Sequence, residues 1–420
     1  MWNGQVKIVT GIRRCGKSYL LKTLFRDWLK REKGVLDQDI LMLELDDSTW
    51  IRCRNPLELD KTVREWKAAH GDGTKCYLFI DEIQMCEAVP NPYVPDGKKI
   101  TFYDALNGFL HMDDLDVYVT GSNSKMLSKD VLTEFRGRGD EVRMHPLTFA
   151  EYFGVVGGDR RDALERYMRY GGMPFALSRP DDASREQYLK GLFEEVYFKD
   201  IVERKRITRV DVLNNVTDFL CSGIGSLTNP NNIANSLKTA YGCDVSRQTV
   251  LSYVEYLMDA FLFSEARRYD VKGKSYFDYP NKYYCEDVGL RNARTGFRQQ
   301  EVTHLMENVI YNELVARGYA VDVGVVYSRE INANGQSVRV PREIDFVVNK
   351  GGERVYVQSA FALPEGDVCK RASEFKPFSL TGDSFRKIIV RQDVGLRWFD
   401  DNGILNISLA DFLLDPMAVG

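Results

Sequence analysis

The sequence predicts an α/β fold with a mostly parallel sheet over residues 1–154 of the 420. Two observations carry this prediction. Short apolar runs alternate with stretches of helical spacing, as expected for successive βαβ units. A loop with two glycines also separates the first apolar run from the first helical stretch. The apolar runs are VKIVT, DILMLELDD, CYLFIDE, LDVYVTGS and EVRMHPL.

The first run, VKIVT, leads directly into the loop GIRRCGKS at residues 11–18. Gly11 and Gly16 let the backbone turn where a side chain would clash, so successive N–H groups can point at phosphate oxygens. At this spacing Lys17 is expected to reach the β- and γ-phosphates of a nucleotide, and Ser18 to ligate Mg²⁺. The predicted nucleotide-binding residues are Gly11, Ile12, Arg13, Arg14, Cys15, Gly16, Lys17, Ser18 and Tyr19.

A helical pattern follows the loop, which argues against a chance match to a short motif. Gly34 provides a stop signal at its end. Strand, glycine loop and helix place phosphate at a helix N-terminus. The apolar residues at helical spacing are Leu20, Leu21, Leu24, Phe25, Trp28 and Leu29.

The run CYLFIDE, residues 76–82, ends in two carboxylates. Asp81 is expected to hold Mg²⁺ and Glu82 to polarise the attacking water, so ATP and Mg²⁺ are the predicted cofactors. Taken alone, an apolar run followed by Asp-Glu could equally be an ordinary strand that enters an acidic loop. The glycine loop upstream favours the catalytic interpretation.

The run LDVYVTGSNSKML supplies a third polar strand end. Thr120, Ser122 or Asn123 could orient water beside the γ-phosphate there, and Asn123 is the predicted sensor; the alternative is an Asx or Ser turn after a strand. Further on, Arg138, with Arg136 as its fallback, is a candidate finger for the nucleotide of a neighbouring subunit. A surface salt bridge is the competing explanation for either arginine.

Residues 155–270 predict a helical lid followed by three helices that suggest a winged helix. This region could contact DNA phosphates. The alternative is a structural winged helix that packs on the ATPase or on a partner protein, since acidic residues lie nearby. The candidate phosphate contacts are Arg204, Lys205, Arg206, Arg209, Lys238 and Arg247.

Several segments together resemble the AAA-type P-loop ATPases, and specifically a prokaryotic family in which the ATPase domain precedes a C-terminal domain of uncharacterised function. The resemblance implies ATP hydrolysis and leaves the cellular role open. The matching segments are VTGIRRCGKS, YLFIDEIQ, VYVTGSNSKML, GRGDEVRMHPLTFAEYF, YGGMP and KYYCEDVGLRNA.

Residues 271–420 resemble the C-terminal domain of that family, which in turn resembles restriction-endonuclease-like nucleases with an α+β fold. Such nucleases use an Asp on one strand and Glu-x-Lys on the next to bind Mg²⁺ and activate water. Asp345 is present, but Gln358 and Ala360 stand where the second carboxylate and the lysine belong. We therefore expect a degenerate domain that does not cut nucleic acid. Lys387 is a candidate for a displaced lysine, and Glu307 for a remaining polar contact to Asp345.

Composition narrows the class of protein further. The net charge of −4 excludes a generally basic protein, so any nucleic-acid contact must come from a local patch. Eight cysteines without a C-x-x-C pair indicate buried thiols in a reducing compartment, and four scattered histidines predict no structural metal. The absence of a signal peptide and of a long apolar run predicts a cytoplasmic protein without membrane contact.

These observations predict an oligomeric ATP hydrolase that acts as a nucleotide-driven switch or remodeller, with DNA, a protein partner or further copies of the chain as candidate partners. The alternative is a nucleotide-dependent scaffold that binds DNA or protein with little turnover. An active nuclease is disfavoured because of the missing residues.

Overall fold

The computed structural model describes residues 1–71, 73–94, 97–121, 138–298, 301–332, 335–364 and 368–420. The chain divides into two compact units: residues 1–145 with 259–261, and residues 146–258 with 262–420. The division of the chain into domains 1–154, 155–270 and 271–420 stays a prediction. Within the described ranges, no helix has both the length and the apolar character that crossing a bilayer requires.

The first unit is built on a sheet of five strands in the order β2-β3-β4-β1-β5, and every neighbouring pair is parallel. This confirms the predicted parallel sheet. Because all strands point the same way, their carboxyl ends lie at one edge. The strands are β1 Val6–Thr10, β2 Ile40–Glu44, β3 Cys76–Asp81, β4 Leu115–Gly121 and β5 Gly139–Arg143.

Strand β3 is apolar throughout because both of its faces are buried. Leu78 and Ile80 pack into one hydrophobic cluster, whereas Tyr77 and Phe79 pack into another. Successive side chains of a strand point to opposite faces, so both faces of the sheet are covered.

The helix after the glycine loop begins at Lys17 and contains a π-helical segment before its last two turns. It ends at Gly34, whose φ of 65° is left-handed, as the predicted stop requires. Of its apolar stripe, Leu21 and Leu29 are buried but Leu24 is 53% exposed. The helical segments of this unit are Lys17–Tyr19, Leu20–Phe25 (π), Arg26–Lys33, Asp37–Asp39 (3₁₀), Ser48–Arg54 (3₁₀), Pro56–Ala68, Ile83–Met85 (3₁₀) and Phe102–Phe109.

The second unit opens with helices, as predicted for residues after 155. After the last of these, β6 (Phe263–Ala266) pairs antiparallel with β9 (Lys282–Cys285). The winged helix itself stays a prediction. The helices are Phe149–Val156, Arg160–Tyr170, Pro174–Leu177, Asp182–Gly191, Leu192–Phe198 (π), Lys199–Lys205, Val210–Ser222, Pro230–Tyr241 and Arg247–Asp259.

The C-terminal part of this unit forms a mixed sheet of eight strands in the order β14-β15-β13-β12-β11-β10-β7-β8. Asp345 and Gln358 lie on adjacent strands of this sheet, as predicted. The strands are β7 Arg268–Asp270, β8 Ser275–Tyr276, β10 Ala320–Ile331, β11 Ser337–Lys350, β12 Glu353–Ala360, β13 Arg386–Arg391, β14 Trp398–Phe399 and β15 Leu405–Ser408. The helices are Val288–Arg294, Val302–Ala316, Val368–Ser379 and Leu409–Leu414.

Two of the segments that resemble the ATPase family, YGGMP and EDVGLRNA, meet at the buried Asp287. Its carboxylate accepts hydrogen bonds from Gly172 N at 2.6 Å and Leu290 N at 2.9 Å. A Cβ at Gly171 would lie 2.2 Å from Asp287 Oδ1, and one at Gly289 would lie 2.0 Å from a backbone oxygen. Gly171 is therefore required by the approach of the Asp287 carboxylate and Gly289 by that of a backbone oxygen. This contact between the two segments has a structural role.

We expect Asp287 to make stability depend on pH. Burial raises the pKa of this carboxyl from 3.8 to about 6, although its backbone hydrogen bonds oppose the shift. The folded state therefore binds the proton more tightly than the unfolded state, and its stability should fall by about 3 kcal/mol as pH rises through that window. Denaturant unfolding of wild type and Asp287→Asn checks this, because the decline across this window should be about 3 kcal/mol larger in the wild type. Parallel pH profiles would contradict it.

Candidate functional site

The order of the strands places the glycine loop beside the acidic strand end. β4 lies between β1, which leads into the loop, and β3, which ends in Asp81. The carboxyl ends of these three strands therefore form one continuous edge. Ligands of open α/β sheets bind at this edge.

The loop takes backbone conformations that favour glycine. Gly11 and Gly16 have φ values of 135° and 111°. A Cβ at Gly11 would lie 2.0 Å from the backbone oxygen of Met144, which follows β5. Only glycine fits at this position, because the Met144 backbone approaches too closely for any side chain. Arg14 also has a left-handed φ of 60°.

The amides at the end of the loop are oriented by the start of the helix. Leu20 N donates to Gly16 O at 2.8 Å. The first N–H groups of a helix have no acceptor within the helix, so those of the first turn are available to a phosphate. Ser18 is partly buried here, whereas Tyr19 is 60% exposed. This geometry fits the predicted nucleotide loop.

Lys17 is buried within the loop. Its ammonium donates to Gly11 O at 2.8 Å and to Ile12 O at 2.9 Å. The ammonium charge therefore lies inside the loop, against its backbone.

Thr120, at the end of β4, connects the two predicted acidic residues. Its hydroxyl donates to Asp81 Oδ1 and accepts from Glu82 N at 3.0 Å. Glu82 has a left-handed φ of 52°, and the Gln84 side chain donates to its carboxylate. The sequence indicated Thr120 only as one of three polar residues at a strand end, and Gln84 was missed. The signal for Thr120 was its position on the strand next to the acidic one.

We expect Thr120→Val to lower the rate of ATP hydrolysis by about tenfold while ATP affinity stays within about twofold. A hydrogen bond to a charged group contributes roughly 1.5–3 kcal/mol, and its loss here releases the Asp81 carboxylate and leaves Glu82 N without the Thr120 acceptor. Steady-state kinetics and a nucleotide titration separate the two effects. Thr120→Ser keeps the hydroxyl and should retain activity. Equal loss in both variants would argue against positioning by the hydroxyl.

The oxygen atoms at this edge suit magnesium. Ser18 offers a hydroxyl and Asp81 a carboxylate, and hard cations prefer such ligands. Among the residues that the structure describes, no group of three or more histidine, cysteine or acidic side chains is arranged to hold a metal.

Of the remaining predicted catalytic residues, the structure describes Arg138. Asn123 and Arg136 lie outside the described residues. Arg138 is exposed immediately before β5, and its carbonyl accepts from Val6 N at 3.0 Å at the start of β1. It therefore lies near the amino ends of the strands, away from the loop of its own chain.

Some basic residues of the predicted winged helix have acidic neighbours. Arg209 pairs with Asp211 at 3.2 Å, and Lys238 with Asp244 at 3.5 Å. Arg204 similarly lies 3.6 Å from an aspartate. Arg206 and Arg247 are exposed in the same region.

The positions that depart from the nuclease pattern have structural roles. Gln358 Oε1 accepts from Asp345 N at 3.2 Å, while its amide nitrogen donates to Glu374 at 2.9 Å. A glutamate could not donate to Glu374. Ala360 is buried in a hydrophobic cluster. Lys387 donates to a backbone carbonyl, that of Asp383, at 3.1 Å.

Comparisons with known proteins identify the first region. A family model described as an AAA domain matches residues 3–153, and a domain of unknown function, DUF8612, matches residues 161–301. An uncharacterized protein of Haemophilus influenzae is 30% identical over 417 residues, which cover 97% of this chain and 94% of that protein. An uncharacterized protein of Methanocaldococcus jannaschii is 24% identical over 373 residues, covering 86% and 76%.

Among solved structures, the Aeropyrum pernix ORC1 protein in complex with DNA is similar over 70% of this chain and 86% of that chain, with 12% identity and a TM-score of 0.29. The AAA domain and the parallel sheet agree with the predicted P-loop ATPase fold.

Proposed function

Because the chain belongs to the same family as the Haemophilus influenzae protein and contains an AAA domain, we propose that it binds and hydrolyses ATP as a nucleotide-driven switch or remodeller. The observation that carries this proposal is the order of the strands, which brings the end of β3, with Asp81 held by the Thr120 hydroxyl, to the same sheet edge as the loop that contains Lys17.

Each residue at this edge has a distinct task in the proposal. Loop amides and Lys17 bind the phosphates, and Ser18 with Asp81 would hold Mg²⁺. The bound ion supplies charge neutralisation at the phosphate oxygens. Glu82 orients the attacking water and accepts its proton. Asn123 is the proposed sensor of the γ-phosphate.

A nucleotide-dependent scaffold with little turnover is the second candidate. The hydrogen bond from Gln84 to the Glu82 carboxylate favours it, because this contact occupies an oxygen that water activation needs. Turnover then depends on whether bound ATP releases Glu82 from Gln84.

DNA is the proposed polymer, and the predicted winged helix is its proposed contact. Arg206 and Arg247 are exposed there and would meet phosphates. We further propose that the restriction-endonuclease-like sheet does not cut this DNA, because Gln358 and Ala360 are committed to structural contacts.

One experiment tests these proposals together. ATP hydrolysis is measured in Mg²⁺ alone and with double-stranded DNA, single-stranded DNA or RNA, and each polymer is then run on a gel. We expect turnover that DNA increases, and polymers that stay intact. Turnover that never exceeds that of Glu82→Gln would support the scaffold instead. Cleaved DNA would contradict the inactive sheet.

Arg138 is the proposed finger for a neighbouring subunit. Its exposure and its distance from the loop of its own chain leave action on another copy as the remaining catalytic use. We expect Arg138→Ala to lower turnover about 100-fold or more without loss of ATP affinity. Mixing it with Glu82→Gln should restore part of the activity, because some subunit contacts then combine an intact Arg138 with an intact Glu82. Absence of rescue, or a monomer by light scattering, would count against this role.

A further inference from the structure

A buried ammonium in the second unit lies among three carboxylates. Lys282 Nζ is 2.7 Å from Glu343 Oε1, 2.8 Å from Glu307 Oε1 and 3.7 Å from Asp345 Oδ1. The Lys282 side chain is only 5% exposed. These four residues are called the lysine-carboxylate cluster below.

The members of the cluster come from three separate elements. Lys282 lies on β9 of the two-stranded sheet, whereas Glu343 and Asp345 lie on β11 of the eight-stranded sheet. Glu307 comes from the helix Val302–Ala316. The ammonium therefore connects the two sheets and the helix.

Neighbouring groups fix the carboxylates and cover them. Tyr284 OH donates to Glu307 Oε1 at 2.6 Å, and Ser359 N donates to Asp345 Oδ2 at 2.8 Å. A Cβ at Gly225 would lie 3.2 Å from Glu307 Oε1, so the backbone of that loop passes close over this carboxylate. The oxygens of Glu307 and Asp345 are thus held in position and largely shielded from water, whereas the Glu343 side chain is 32% exposed.

The three carboxylates of the cluster need a positive charge between them. Burial raises the pKa of Asp345, the Glu307 charge raises it further, and Lys282 opposes both. Burial lowers the pKa of Lys282, but the three carboxylates more than offset this and raise it. The lysine therefore stays charged, and without it the carboxylates would face each other with no counter-ion.

We propose that Lys282 is the resident cation of this cluster and takes the position that a hard divalent cation would otherwise take. The cluster then fixes the two-stranded sheet to the large sheet instead of holding a metal. Mg²⁺, Mn²⁺ and Ca²⁺ prefer oxygen ligands such as these carboxylates, whose oxygens lie 2.7, 2.8 and 3.7 Å from the ammonium. With Lys282 in place, no such group among the described residues is arranged to hold a metal. This inference concerns the second unit and does not depend on ATP hydrolysis.

Two substitutions separate the charge of Lys282 from the space it fills. Lys282→Ala removes the charge and leaves room for an ion, whereas Lys282→Met removes the charge but fills the space. Both are made in full-length protein that carries Asp81→Asn and are studied without nucleotide, so that the loop site adds no metal binding. Thermal unfolding is followed in EDTA and in about 1 mM Mn²⁺, and bound Mn²⁺ is counted by electron paramagnetic resonance.

In EDTA, both variants should melt about 5–10 °C below the parent protein. Mn²⁺ should restore at least half of this loss in Lys282→Ala, with one ion bound, and should change neither Lys282→Met nor the parent. If Lys282→Ala is unfolded in EDTA, circular dichroism during a Mn²⁺ titration should show it refold. The proposal is overturned by unchanged melting of both variants in EDTA, by Mn²⁺ binding to the parent cluster, or by a Lys282→Ala protein that Mn²⁺ does not stabilise or refold.

Discussion

Lys17→Ala should lower ATP affinity by about 100-fold. Truncating one partner of a buried charged contact costs roughly 2–5 kcal/mol, and each 1.4 kcal/mol is a factor of ten in affinity. The ammonium is buried inside the loop against two carbonyls, and alanine leaves no positive charge at this position to attract the phosphates of ATP. Isothermal titration calorimetry with ATP and Mg²⁺ measures the change.

The matched control is Lys30→Ala. Lys30 lies in the same helical run, but its ammonium is exposed and pairs with Asp37 at 2.7 Å. Its removal should leave ATP affinity within about twofold, because exposed ion pairs contribute little. Circular dichroism verifies that both variants are folded. Similar affinities of Lys17→Ala and wild type would remove the basis for the proposed nucleotide site.

Glu82→Gln should have the opposite profile: ATP affinity close to wild type and turnover reduced by about 100-fold or more. The amide keeps the size of the side chain and can still contact Gln84, but it cannot accept a proton from water, and general-base catalysis typically contributes a factor of about 10²–10⁴. Single-turnover hydrolysis with ATP prebound separates this step from binding.

Glu87→Gln is the control for that experiment. Glu87 is an exposed carboxylate in the segment after β3, and its loss should not change turnover. A Glu82→Gln protein that hydrolyses ATP as fast as the Glu87→Gln protein would show that another group activates the water. Reduced ATP affinity in Glu82→Gln would instead assign Glu82 to binding.

The glycine loop could be predicted from sequence because its conformation is local. Gly11, Gly16 and Gly34 all have left-handed φ values, which the neighbouring residues and the glycine backbone largely determine. The apolar runs likewise specify strands through the period of their side chains, and β3 is apolar throughout because both of its faces are covered.

The hydrogen bonds between Thr120 on β4 and the acidic end of β3 could not be predicted in the same way. Thr120 reaches Asp81 and Glu82 only because β4 lies between β1 and β3, and strand order is not written in any one segment. The need for glycine at position 11 could not be predicted from its neighbours either. It arises from the backbone oxygen of Met144, a residue distant from Gly11 in the sequence.

The sequence alone determined the nucleotide loop, the acidic strand end and the departures from the nuclease pattern at Gln358 and Ala360. Only the tertiary structure placed Lys282 among Glu307, Glu343 and Asp345. The physical reason is the range of the interactions. Backbone dihedral angles and side-chain periodicity act over a few residues, whereas an ion cluster depends on how strands and helices distant in the sequence pack together.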